Sequence, residues 1–89
     1  MVENGHIIYM KIYDYEGRKN ICGERVHEAR RRLKITQSDL AARLQINGII
    51  IERDSISRIE IGTRFVADYE LRELSRILNV SVNWLLNIE

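Results

Sequence analysis

The chain has 89 residues, 45% of them apolar and 30% charged, which suits one small core and excludes both wholesale disorder and a second domain. A net charge of +1 removes bulk basicity as an argument for nucleic-acid binding, so any such case must rest on where the charges sit. One cysteine, Cys22, rules out an internal disulfide, and no apolar run reaches membrane-spanning length, so a reducing cytoplasm is the expected setting.

The first segment is β-like. From His6 to Tyr13, Ile8, Met10 and Ile12 alternate with Tyr9, Lys11 and Tyr13, a period of two. Tyr15-Glu16-Gly17-Arg18 then reads as a turn. A lone strand needs a partner for its backbone groups. Another copy of the chain, a later segment, or no partner at all all stay open, the last making residues 1–20 a poorly ordered arm. The domain proper is expected over residues 21–89.

After Asn20 the period becomes helical. Val26, Ala29, Arg30 and Leu33 recur at spacings of three and four, with Arg25, Glu28, Arg31 and Arg32 on the other face. Thr36 suits an N-cap, and Asp39 complements the helix dipole in the turn it opens. Leu40, Ala41 and Leu44 form the buried stripe of this second helix, and Asn47-Gly48 stops it. Ile49, Ile50 and Ile51 favour an extended segment because all three are β-branched. Asp54 is read as the cap of a short third helix in which Ile56 and Ile59 point inward and Gly62 supplies the closing turn. Asp68 is read as the cap of a fourth, with Leu71, Leu74, Ile77 and Leu78 on one face and Asn79 at its end. Ser81 caps a fifth carrying Val82, Trp84, Leu85 and Leu86, with Trp84 expected as a core anchor. The fold class expected is all-α, five short helices behind a short β-like arm.

The informative constellation is the tandem of residues 37–47 and 54–61. Ala41 is small where a second helix must approach closely. The second helix is too short to stand alone, so packing through Ile56 and Ile59 must hold it. Its outer face carries Arg53, Asp54, Ser57 and Arg58, and a short, fixed helix with polar side chains outward suits the DNA major groove.

Thr36-Gln37-Ser38-Asp39-Leu40-Ala41, Ser55-Ile56-Ser57-Arg58-Ile59-Glu60-Ile61-Gly62 and Leu78-Asn79-Val80-Ser81-Val82-Asn83-Trp84-Leu85-Leu86 together resemble the Cro/phage-repressor type of helix-turn-helix domain, the lambda-repressor-like or XRE-type family. The resemblance runs over residues 21–87. It implies a compact bundle of four or five helices in a bacterial or phage-encoded regulator, most simply a repressor. It implies that Gln37 contacts a DNA phosphate, that Arg53, Asp54, Ser55, Ser57 and Arg58 lie at or near base edges, and that Thr63 and Arg64 touch the backbone. It also implies an ion pair between Arg30 and Glu60, tying the third helix to the first. Double-stranded DNA is the partner implied, and a homodimer is expected because two-fold operators need two reading helices about one DNA turn apart. Arg58 is the candidate base reader, since a guanidinium pairs bidentately with guanine O6 and N7; the alternative is a solvated surface arginine. Asp54 is first an N-cap and second an acceptor from cytosine N4.

One stretch departs from that family. The connection between Ala41 and Ser57 is longer than the pattern, with Gln45 to Glu52 filling the space. The favoured expectation is a second helix one turn longer, with Ile49 or Ile51 plugging the core. The alternative is an isoleucine edge pairing with residues 7–13.

Catalytic signatures are missing. His6, His27 and Cys22 lack zinc-type spacing, and there is no glycine-rich phosphate loop, nucleophile elbow or catalytic carboxylate pair. Neither a metal, a cofactor nor an enzymatic activity is expected. The rival to a DNA-binding regulator is a protein-interaction module on the same fold, such as an antitoxin-like protein that masks a partner, and the near-neutral charge is its support.

Overall fold

The computed structural model of the protein describes residues 14–89, and five helices lie among them. They are α1 (Gly23–Arg32), α2 (Gln37–Ile46), α3 (Arg53–Ile61), α4 (Asp68–Leu78) and α5 (Val82–Leu85). The β-like segment expected at residues 6–13, and its pairing with the isoleucine run, lie outside the described residues.

Local chemistry accounts for most helix ends. At the start of α2 the Thr36 hydroxyl accepts from the Asp39 amide (3.0 Å) while the Asp39 carboxylate accepts from the Thr36 amide (2.9 Å), so two otherwise orphaned donors are satisfied reciprocally. Those bonds hold the Asp39 carboxyl below the usual carboxylate range. Ser81 caps α5 with a single bond, accepting from the Trp84 amide at 2.9 Å. Gly62 ends α3 at φ +90°, a conformation that favours glycine, and lets the Gly62 and Thr63 amides donate back to Arg58 carbonyl oxygen at 3.0 and 2.9 Å. Asn79 ends α4 in the left-handed region at φ 58°.

Two acids expected as caps stand inside their helices, Asp54 at the second position of α3 and Asp68 at the first position of α4. α3 begins at Arg53 with Glu52 as its N-cap, and Asp54 instead pairs with Arg53 at 2.7 Å. α4 begins at Asp68 with Ala67 as its N-cap, and the Glu70 carboxylate accepts from the Ala67 amide at 2.9 Å. An acid in the first turn gains from the helix dipole whether or not it caps. The cap itself is whichever residue still has extended backbone, here Glu52 (ψ 165°) and Ala67 (ψ 155°).

The expected extra turn of α2 is absent. The helix stops at Ile46 and Gly48 turns the chain at φ +88°, a reversal that no continuing helix permits. Ile51 nonetheless reaches the core, at 3% exposure, and Ile49 packs partly against it. Leu33, expected on the α1 stripe, is 41% exposed, because α1 has already ended at Arg32 and Ile35 takes the inward place.

The core gathers Val26, Leu40, Leu44, Ile56, Ile59, Leu74 and Leu85, one or more from every helix. α3 packs on both α1 and α2, which is what fixes so short a helix. In α5 the buried residue is Leu85. Trp84, expected as the anchor, is only half-buried; it lies at the edge of the core with the Arg25 and Arg32 guanidinium groups 4.6 and 5.2 Å from its ring.

Ahead of α1, Tyr15 and Arg18 exchange backbone hydrogen bonds (2.8 and 2.9 Å) across the turn, and the following residues seat on the end of α3. Asn20 Nδ2 donates to the carbonyls of Ile59 (3.0 Å) and Arg64 (2.8 Å), and its Oδ1 accepts from the Gly23 amide at 2.8 Å. One side chain thus joins the end of α3, the α3–α4 loop and the start of α1. Asn20→Ala strands the Arg64 carbonyl and the Gly23 amide, while the Ile59 carbonyl keeps the Gly62 amide, and is expected to cost about 2 kcal/mol in urea unfolding. A loss under about 0.5 kcal/mol would mean that water replaces the amide at no cost.

Candidate nucleic-acid interface

α3 presents one face inward and one outward. Ile56, Ile59 and Glu60 are buried, and Asp54, Ser57, Arg58 and Ile61 follow the three-and-four spacing of the opposite stripe, with Arg53 beside them. Arg53, Asp54 and Arg58 are exposed, while Ser55 and Ser57 are half-buried. Arg58 makes no side-chain hydrogen bond or ion pair among the described residues, so its guanidinium has its full set of donors to offer. Arg43, exposed on α2, also forms no hydrogen bond or ion pair there and acts on Asp39 only through space.

The inward face is held by a charge network. Arg30 Nε donates to Glu60 Oε2 at 2.7 Å and Arg30 Nη2 to Glu60 Oε1 at 3.0 Å, a bidentate pair whose two residues are each 8% exposed. Arg30 Nη1 also donates to the Ile35 carbonyl at 2.9 Å, and Gln37 Nε2 donates to Glu60 Oε1 at 3.0 Å. His27 Nδ1 stands 2.9 Å from the same Oε1 and donates to it when that nitrogen carries the proton. Burial alone would push the Glu60 carboxyl up; the bonds from Arg30, His27 and Gln37 outweigh it and hold the group below its ordinary value. The last full turn of α3 is therefore fastened to α1 and to the start of α2 through one carboxylate.

Gln37 and Arg64 are occupied. Gln37, half-buried at the first position of α2, spends its amide on Glu60. Arg64 forms a bidentate pair with buried Glu70 (2.9 and 3.0 Å) and donates to the Phe65 carbonyl at 2.8 Å, bracing the loop into α4. Burial raises the Glu70 carboxyl, but Arg64 and the Ala67 amide bring it below its ordinary value. Thr63 is exposed beside this loop. Sequence reasoning missed the Gln37–Glu60, His27–Glu60 and Arg64–Glu70 contacts. Only Arg64–Glu70 had a detectable signal, a basic and an acidic residue flanking a helix start.

Cys22 is buried at the start of α1, and burial pushes its thiol up to about 11, so it is not a reactive thiolate at neutral pH. Among the described residues no three or more His, Cys, Asp or Glu side chains are grouped to hold a metal ion, and no helix is long and apolar enough to cross a membrane.

A helix-turn-helix domain family matches residues 23–89. Among solved structures the chain is similar to the P22 c2 repressor protein, crystallised in complex with synthetic operator 9T. The TM-score is 0.66 with 28% sequence identity, covering 79% of this chain and 98% of that one. No curated protein sequence matches. The segments that resemble this family, the five helices and the matched span agree: the chain belongs to the helix-turn-helix domain family, and its fold is of the Cro/phage-repressor type.

Proposed function

We propose that the protein is a sequence-specific DNA-binding transcriptional regulator, acting as a repressor, that reads the major groove with α3. The observation that carries this reading is the contrast between the two faces of that helix. Its inner face is locked by Ile56, Ile59 and the Arg30–Glu60 pair and its end by Asn20, while Arg53, Asp54, Ser57 and Arg58 are left outward. A rigid mount with adaptable polar tips is what base readout requires. The similarity to a repressor crystallised with its operator supports it.

In this reading Arg58 pairs with a guanine, Arg53, Asp54, Ser55 and Ser57 lie along base edges, and Gln37, Thr63 and Arg64 face the phosphates. Gln37 and Arg64 act there as residues already held in place by Glu60 and Glu70. The chain works as a homodimer on a two-fold operator, in the cytoplasm of a bacterium, from the host or a phage genome.

The test is a mobility-shift assay against genomic fragments with a salt titration, since each phosphate contact adds about 0.9 to the log–log salt slope. Arg58→Ala is expected to cost about 1–3 kcal/mol on the selected site and to relax preference at one base pair. An equal loss on every sequence would reduce Arg58 to a phosphate contact. The rival interaction module draws on the +1 net charge and on exposed Ile61, Phe65 and Tyr69. Absence of retardation even at low salt would favour it.

A further inference from the structure

The α2–α3 connection that sets this chain apart is built, not slack. The Gly48 amide donates to the Gln45 carbonyl (3.0 Å), the Ile49 amide to the Leu44 carbonyl (2.9 Å), and Gln45 Nε2 to the Ile51 carbonyl (2.7 Å). Between these ties the three isoleucines alternate: Ile49 packs partly against the core, Ile51 is 3% exposed, and Ile50 is 86% exposed. Turning Ile50 inward would turn both neighbours out, so its exposure follows from the register of the braced loop.

A loop tip in water ordinarily carries Gly, Asn, Asp or Ser. Here a rigid frame holds out an isoleucine three residues before Arg53, the first residue of α3. Ile46, at the end of α2, is also exposed, and the two are bounded along the chain by the exposed cations Arg43 and Arg53, the latter paired with Asp54, with exposed Glu52 between Ile50 and Arg53. Apolar tips flanked by arginines do not match a protein partner's apolar face, which takes a larger contiguous patch. They match a surface that is anionic at its rims and apolar at isolated points on its floor. In the major groove that point is the thymine C5 methyl.

We propose that Ile50 is a specificity-determining residue that packs on a thymine methyl at the edge of the site read by α3. The proposal rests on the DNA-binding reading above. It gives the lengthened turn a function: the turn carries an apolar probe beyond the reach of α3 itself.

The experiment uses the full chain. A site is recovered by selection from genomic fragments, and each of its thymines is replaced in turn by deoxyuridine, which lacks only the methyl. One replacement is expected to weaken wild-type binding about fourfold, the worth of one buried methyl. Ile50→Ala is expected to weaken binding to the unmodified site by a similar factor and to be indifferent to that replacement. Its melting temperature should match the wild type, because the side chain lies outside the core. Wild-type affinity in Ile50→Ala, or a response to every deoxyuridine identical to the wild type's, overturns the proposal while leaving DNA binding intact. A change in the sedimentation of the free Ile50→Ala protein also overturns it, placing the residue between copies of the chain. A chain that selects no DNA overturns both readings together.

Discussion

Glu60→Ala is expected to lower the unfolding free energy by about 3–5 kcal/mol, read from urea denaturation followed by circular dichroism. The loss comes less from the pair than from what remains. Arg30 keeps the Ile35 carbonyl and, when His27 Nδ1 carries no proton, that nitrogen at 3.1 Å, but it has no counter-charge in a site where it is 8% exposed. Small domains command about 5–15 kcal/mol in all, so this variant stands near the edge of folding. The double replacement Arg30→Met with Glu60→Leu is expected to recover most of the loss, because two apolar side chains leave no stranded charge. A cost under about 1 kcal/mol for Glu60→Ala would show that water reaches the pair.

The same carboxylate makes stability depend on acid. The folded Glu60 is held below its ordinary value, and so are Glu70 and Asp39. A depressed carboxyl contributes its stabilisation fully above the unfolded value of about 4.3 for Glu, and that contribution fades as pH falls through the lower folded value. Unfolding free energy is therefore expected to decline below about pH 5. Removing Glu60 should flatten that decline.

The second large effect is at Gly23. A Cβ there would stand 2.0 Å from the Ile59 carbonyl oxygen, with Arg18 Nη2 at 2.8 Å and Asn20 Oδ1 at 3.0 Å. The two side-chain ends can swing aside. The carbonyl cannot, since it belongs to α3 and accepts from both Asn20 and the Gly62 amide. α1 and α3 must part by roughly an ångström, and interiors packed to crystal density resist that. Gly23→Ala gains at most about 1 kcal/mol in helix propensity, less at a first helical position, and overpacking costs about 3 kcal/mol. The overpacking wins, so a net loss of about 2 kcal/mol is expected from thermal or urea unfolding. Because the displaced element is α3, affinity for a selected DNA site should fall as well. A neutral or stabilised variant would show that the two helices slide apart freely.

The positions of these two residues mark where sequence reading succeeds and stops. The Arg30–Glu60 expectation came from resemblance to a family, since no periodicity links residues 30 apart in the chain. That Gly23 lies against Ile59 had no signal at all. A glycine at a helix start reads as a terminus, and only the crossing of α1 over α3 makes its missing Cβ necessary. The Asp54 and Asp68 caps failed for a smaller reason: acids favour the whole first turn, whereas a cap is defined by the backbone just before it. In the α2–α3 connection Ile51 does plug the core, but the longer α2 failed because Gly48 reverses the chain just past Ile46 and the β-branched run that follows disfavours a helix.

Sequence alone determined what is local here. Helical period, capping hydroxyls at Thr36 and Ser81, and left-handed stops at Gly62 and Asn79 act within a turn of chain, and they set five helices and most of their ends. Tertiary structure alone decided which polar groups meet: Asn20 with Ile59 and Arg64, Gln37 and His27 with Glu60, Arg64 with Glu70. Such partners lie as far as 44 residues apart, and each buried polar atom takes whatever partner the packed helices bring within reach. The hydrophobic pattern decides how the helices pack, and the side chains then settle what holds α3 in place.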